Sequence, residues 1–335
     1  MAGVRVLIIQ TAFLGDVVLA TALVESLATA YPEAELHMLV RHGNQGVLEG
    51  HPKLAKVWIW DKRRKYADLW RLLQKVRSAR FDAVVCVQRF TAMGALTALS
   101  GARVKSGFGK NPLSVFFTHR AKHLLPDPDG RHEVERNHAL LAPFGQAMPA
   151  LPRLYPTPIA VAQAAPYQKK RPYVCLAPAS VWATKQWPAG QWARLLRLLV
   201  AQDPARDVYV LGGLADAALA QAVIDEAGLP ARAALNLAGK LSLMGSAALL
   251  VGAQRLYAND SGPIHLATAV GCPTTAVFCS TVPAFGFGPL APGSVLVQET
   301  TGLPCRPCGL HGHKTCPQGH FLCGRSVSAE AVIAG

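Results

Sequence analysis

No run of this 335-residue chain comes near the roughly 18 apolar residues that a membrane-spanning helix needs. A secretory pattern is missing too. The apolar stretch Val4–Gln10 is soon followed by Asp16, with no cleavage site after it, so the cytoplasm is the expected location. Glycine signatures for nucleotides are also absent. A dinucleotide fingerprint needs three glycines for the turn, the pyrophosphate approach and the packing. The first βα loop offers only Gly15, which argues against a nicotinamide or flavin enzyme. The Walker A pattern is absent as well, as are short-period repeats and low-complexity tracts. Acidic residues are scarce, with 20 Asp and Glu against 34 Lys and Arg, for a net charge of +14. Such an excess favours an anionic partner: nucleic acid, a phosphorylated metabolite or an acidic membrane surface.

The length suits about two domains of roughly 100–200 residues, and a hydrophobic content of 51% is ample for two cores. The first half alternates strand and helix patterns. Strands are expected at Arg5–Gln10, Glu35–Val40, Val57–Trp60 and Phe81–Gln88. Helices are expected at Asp16–Tyr31, Tyr66–Ala79, Thr91–Ser100 and His132–Phe144. From Pro143 to Pro172 prolines are many and periodic apolar residues few, which marks a linker. The alternation then restarts, with strands at Tyr173–Ala177 and Asp207–Leu211 and helices at Ala189–Val200, Ala215–Ala227 and Leu241–Val251. Repeated βα units imply parallel sheets covered on both faces. Residues 1–150, a linker at 151–172 and residues 173–335 are the expected divisions.

The richest stretch is Arg255–Phe278. Strand Leu256–Ala258 ends in the polar knot Asn259-Asp260-Ser261-Gly262-Pro263, then a helix, then strand Thr274–Phe278. Open α/β sheets bind ligands at the carboxyl ends of strands, and a helix start suits an anion. An aspartate beside an anion site makes sense if Asp260 faces hydroxyls while backbone N–H groups face phosphate. His265, on the first turn, is either a packed structural residue or a donor to a phosphate or sugar oxygen.

Other strand ends carry further candidates. Gly15-Asp16 opens a helix after the first strand. Asp16 is either an ordinary cap or an ionised carboxylate placed to take a proton or bind a hydroxyl. The loop Ala179–Pro188 supplies the hydroxyls of Ser180 and Thr184 and the ammonium of Lys185, a set that suits a diphosphate. Lys185 also reads as a surface lysine, and Trp187 as helix packing. Asp216, after Gly212-Gly213, reads equally as a ribose contact or a cap. The run Lys62-Arg63-Arg64-Lys65 follows the strand-like Val57–Trp60, where a ligand-facing loop would begin. Cys86, Cys175, Cys272 and Cys279 lie in or beside apolar runs and read as core thiols. Cys305, Cys308, Cys316 and Cys323 form a cluster interleaved with His311, His313 and His320. Four thiols can hold tetrahedral zinc, but this spacing is not that of a standard ribbon, and thiols that pack together or pair on oxidation are favoured.

Together, Gly15-Asp16, SVWATKQWP, HEVERNHALLAPFG, NDSGPIHLATAVGCP and the tail PCRPCG…CPQGHFLC resemble glycosyltransferase family 9, the heptosyltransferases of lipopolysaccharide inner-core synthesis. The resemblance runs from about Val4 to about Ile333, and the tail cysteines lean towards its heptosyltransferase II branch. It implies an α/β GT-B fold, two Rossmann-like parallel-sheet domains facing across a cleft. The first would take the acceptor and the second the donor. It implies an ADP-L-glycero-D-manno-heptose donor, an anionic Kdo–lipid A acceptor met peripherally at the cytoplasmic face of the inner membrane, inversion, and no metal or other cofactor. Asp16 matches the family's base. Ser180, Thr184, Lys185, Asp216, Leu241, Asp260, Ser261, Gly262 and His265 match its donor site. Gly15 and Lys62, Arg63, Arg64 and Lys65 would meet the acceptor. GT-B proteins usually return a C-terminal helix to the first domain, and this chain stops at Gly335 soon after such a helix begins. Two rivals remain: a transferase using another nucleotide sugar, and a basic nucleic-acid-binding protein with a zinc knot. The second leaves two Rossmann-like halves unexplained, so no nucleic acid is expected.

Overall fold

The computed structural model describes residues 3–168 and 171–335, the side chains of 64–66 excepted. The chain divides into two compact units, Met1–Tyr155 and Pro156–Gly335.

The first unit is a six-stranded sheet, all parallel in its pairings. Its strands are β1 (Arg5–Ile9), β2 (Glu35–Arg41), β3 (Lys56–Trp60), β4 (Ala83–Cys86), β5 (Val104–Phe108) and β6 (His119–Ala121). Its helices are α1 (Leu14–Ala30), α2 (Lys65–Ser78), α3 (Thr91–Leu99) and α4 (Glu133–His138). The sheet order is β3-β2-β1-β4-β5-β6. The apolar faces of β1, β4, α2 and α3 close over one another: Leu7, Ile9, Val84, Leu73, Val76 and Leu96 are all buried in one cluster.

The second unit begins with α5 (Pro158–Ala164) inside the segment 151–172 expected as linker. Thr157 accepts a hydrogen bond from Ala160 N, and Pro158 supplies a fixed φ in the first turn. The helix packs on α8 of its own unit. The strands are β7 (Tyr173–Ala177), β8 (Asp207–Val210), β9 (Ala234–Asn236), β10 (Leu256–Asn259), β11 (Thr274–Phe278) and β12 (Val295–Gln298). The helices are α6 (Ala189–Gln202), α7 (Ala217–Ala227), α8 (Leu243–Val251), α9 (Gly262–Ala269), α10 (Leu322–Arg325) and α11 (Ala329–Ala334). The order is β12-β11-β10-β7-β8-β9, again parallel throughout.

Counted within its own unit, each sheet runs 3-2-1-4-5-6, the doubly wound order whose ligand crevice lies where strands 1 and 4 meet. Those places are β1/β4 and β7/β10. The expected helix at His132–Phe144 is α4 followed by a 3-10 stretch, Ala139–Phe144, because Pro143 removes a donor. Helix α11 packs on α6, with Arg194 Nε donating to Glu330 at 2.5 Å. Among the described residues no helix is long and apolar enough to cross a membrane.

Candidate functional site

In the second unit the polar residues gather where β7 and β10 end. Asn259, fully buried, joins the two loops. Its Oδ1 accepts from Trp187 N at 2.9 Å, and its Nδ2 donates to Pro178 O at 2.6 Å. Trp187 is itself anchored. Its indole meets Trp192 edge-on at 5.1 Å, and its Nε1 donates to Val327 O at 3.0 Å. The phosphate-type loop is therefore seated on the core rather than hung from it.

On that footing Lys185 reaches Asp260, Nζ to Oδ2, at 2.6 Å. Thr281 Oγ1 donates to the same oxygen at 2.6 Å. Both side chains of the ion pair are mostly covered, at 15% and 8% exposure. The lysine expected for phosphate and the aspartate expected for hydroxyls thus hold each other. Ser261 caps α9 without a side-chain bond to its N–H groups, leaning instead on Ala179 O and Asn259 O. Gly262 opens α9, and a side chain there would meet nothing within 4 Å. Open space therefore lies in front of that helix start. His265 is buried on the same helix.

The remaining donor candidates stand in other company. Ser180 Oγ accepts from Trp182 N at 3.4 Å. Thr184 is buried, and its hydroxyl is engaged by the tail: it accepts from His313 N at 2.7 Å and donates to His313 O at 3.3 Å. Asp216 accepts from Gly213 N at 2.8 Å, the capping alternative, at the end of the loop after β8. Leu241, half-buried, precedes the Ser242 cap of α8.

In the first unit Asp16 lies in the first turn of α1, after β1, and its Oδ2 accepts from Phe13 N at 3.2 Å. Gly15 beside it is buried. Burial pushes the Asp16 carboxyl up to about 6, and the negative charge of Glu133 adds to the rise. The Phe13 N–H and the Arg89 guanidinium oppose it without cancelling it. At neutral pH such a group is still mostly the carboxylate, raised but not neutralised by the loss of water. Glu133 is itself buried, with His123 Nε2 and Arg136 Nη2 each at 2.9 Å. Burial alone would raise it, but these two partners hold it below the ordinary range.

The basic run splits. Lys62 Nζ donates to Thr11 O at 3.2 Å, joining the loop after β3 to the loop that leads to Asp16. Arg63 turns back on Asp61 at 2.6 Å. The expected side-chain roles of Arg64 and Lys65 fall on side chains outside the described residues.

Three contributors are not among the expected site residues. Thr281 follows β11, and its only signal is a hydroxyl just past a strand end. Arg306, within Cys-Arg-Pro-Cys, donates to the carbonyls of Cys279 at 2.7 Å, Thr281 at 2.7 Å and Phe278 at 3.3 Å, fixing the loop that bears Thr281. His313 contributes backbone, which no side-chain pattern reveals. The tail around them brings Cys305 Sγ to 3.9 Å from His320 Nε2. Among the described residues no three His, Cys, Asp or Glu side chains are placed to hold a metal ion. Cys86, Cys175, Cys272 and Cys279 are buried, and burial raises each thiol above its ordinary value.

The model of glycosyltransferase family 9 (heptosyltransferase) matches residues 69–316. Lipopolysaccharide heptosyltransferase 1 of Pseudomonas aeruginosa is 30% identical over 324 residues, 91% of this chain and 86% of that protein. The chain belongs to glycosyltransferase family 9. As a family 9 member it is a glycosyltransferase of GT-B fold. E. coli ADP-heptose lps heptosyltransferase II shares that fold with a TM-score of 0.77 at 18% identity, over 98% of this chain and 96% of the other. E. coli heptosyltransferase WaaC with ADP-2-deoxy-2-fluoro heptose gives 0.72 at 21% identity, over 98% of each.

Proposed function

We propose that this family 9 enzyme transfers heptose from ADP-L-glycero-D-manno-heptose to the inner core of lipopolysaccharide, inverting the anomeric centre without a metal ion. The observation that carries the reading is the Lys185–Asp260–Thr281 set at the β7/β10 crevice, beside the open start of α9. A cation, a carboxylate and a helix start at one point suit a sugar diphosphate. The ADP-2-deoxy-2-fluoro heptose named with the E. coli structure and the lipopolysaccharide heptosyl transfer named for the relative support the same choice.

The chemistry follows from the residues. The diphosphate draws Lys185 from Asp260 and meets the start of α9 at the backbone of Gly262. Asp260, its ion pair opened, accepts hydrogen bonds from heptose hydroxyls. Asp16 takes the proton of the acceptor hydroxyl as that oxygen bonds to the anomeric carbon. The bond from that carbon to the β-phosphate oxygen breaks, and ADP leaves with the electron pair. Lys185 and the helix start stabilise the charge that develops there. A carboxyl near 6 is a stronger base than an ordinary aspartate, but still weak for an alcohol, so proton transfer accompanies attack. Lys62, with Gly15, lies on the acceptor side, and the protein meets the membrane peripherally. Asp216 stands as a ribose contact only if its second oxygen is used.

The test is transfer from ADP-heptose to lipid acceptors with no heptose or with one, with and without EDTA. Transfer to one acceptor class, undiminished by EDTA, is expected. No transfer to either, or activity lost to EDTA and restored by a divalent ion, refutes the reading. The acceptor preference decides between the first and second heptose additions.

A further inference from the structure

The first unit carries another feature on the sheet edge that bears Asp16, one that the transfer chemistry leaves unused. Between residues 83 and 126 the sequence holds six Lys and Arg and no Asp or Glu. Two loops of this segment leave the carboxyl ends of adjacent strands, Val87–Phe90 after β4 and 109–118 after β5. Buried Asn111 binds them together. Its Nδ2 donates to Gln88 O at 3.0 Å and Phe90 O at 3.2 Å, and its Oδ1 accepts from Leu113 N at 3.0 Å. Gly94 of α3 makes room for it, since any larger residue would strike the Asn111 amide.

This joint fixes which rings face in and which face out. Phe117 turns inward against Gly107, where no side chain would fit. Phe116 turns outward at 61% exposure, with Val115 at 69% and Phe90 at 69%. Pro112 is exposed in the same turn. Gly109 N donates to Ala121 O at 2.9 Å, so Lys110 and Lys122 leave the sheet beside each other, both exposed.

Large exposed apolar side chains on two loops tied together by Asn111 need a reason. Rings and aliphatic tips among lysines, with no carboxylate in the segment, match the interfacial layer of a bilayer. Aromatic groups settle at headgroup depth, and ammonium groups meet the negative surface of anionic lipids. The first carboxylates after the segment, Asp127 and Asp129, are paired with Arg131, and a protein surface of mixed charge would match the tips but not the two lysines that flank them. We propose that Phe90, Pro112, Val115 and Phe116, flanked by Lys110 and Lys122, form a docking knuckle for an anionic bilayer surface. The proposal rests on the reading of a lipid-borne acceptor. It adds that the edge carrying Asp16 and Lys62 is the edge presented to the membrane, so the base works close to the plane in which the acceptor sugars lie.

The experiment is cosedimentation of the full chain with phosphatidylcholine vesicles, with and without phosphatidylglycerol. The variants are V115S/F116S and K110Q/K122Q, each checked by its thermal melt. Transfer to a deacylated, water-soluble acceptor is measured alongside. Binding that requires phosphatidylglycerol and weakens about tenfold in each variant is expected, with unchanged melting and unchanged transfer to the soluble acceptor. Wild-type protein that ignores anionic vesicles overturns the proposal, as do variants that bind like wild type. So does a dimer in solution that the same substitutions dissociate, which would assign the knuckle to a second copy of the chain. Absence of soluble-acceptor transfer by the wild type counts against the functional reading, while the vesicle result alone decides the docking surface.

Discussion

Asp16 is held above the ordinary aspartate range by two influences that act together, and its titration is accessible to experiment. Its carboxyl is raised to about 6, first by burial and then by the Glu133 charge. The base form is present above that value and lost below it. The kcat/KM of transfer should therefore fall on the acid side with a limb near pH 6, and a limb near 4 would remove Asp16 from the role. Asp16→Asn should lower kcat by about 10²–10⁴-fold while ADP affinity, measured by calorimetry, stays nearly constant. Glu133→Gln should move the limb to lower pH, because it removes a charge that disfavours ionisation of Asp16. On the donor side, Lys185→Ala should weaken ADP more than adenosine. Equal losses would place the lysine away from the diphosphate.

At the level of elements, the chain is legible where strands are buried on both faces. Tyr173–Ala177 is an unbroken apolar run and Thr274–Phe278 is rich in β-branched and apolar residues, and they form β7 and β11 with those bounds. The four strands that went unread, β5, β6, β9 and β12, are short or partly exposed and carry lysine, histidine, arginine, asparagine or glutamine. Their pairing comes from the neighbouring strand rather than from their own pattern. The site divides in the same way. Asp16, Lys185 and Asp260 stand out as charges at strand ends. The Asp260–Thr281 bond, and the diversion of Thr184 to His313, depend on segments far apart in sequence. The Asn259 junction supplies an element-scale prediction. Asn259→Ala leaves Trp187 N–H and Pro178 C=O without partners in a buried place, so stability should drop by about 2–4 kcal/mol in urea titration, and ADP binding should weaken with it. A loss confined to binding would mean that the two loops are held by something else.

At the scale of the whole molecule, a net charge of +14 acts on any anionic acceptor from a distance. Raising ionic strength to about 1 M shortens the screening length to about 3 Å. The KM for an anionic acceptor should then rise several-fold, while kcat at saturation changes little. An acceptor KM indifferent to salt would confine recognition to short-range contacts. The tail carries one more consequence. Every strand of both sheets is complete by Gln298, yet the bonds that fix Thr184 and Thr281 come from His313 and Arg306. The same tail also closes the core of the second unit, where Cys323, Val327, Ala329 and Val332 are buried against α6, so scaffold and loop are completed together. A product released shortly after residue 300 would lack part of that core and the bonds to Thr184 and Thr281 at once, so a loss of folding and a loss of the loop should come together.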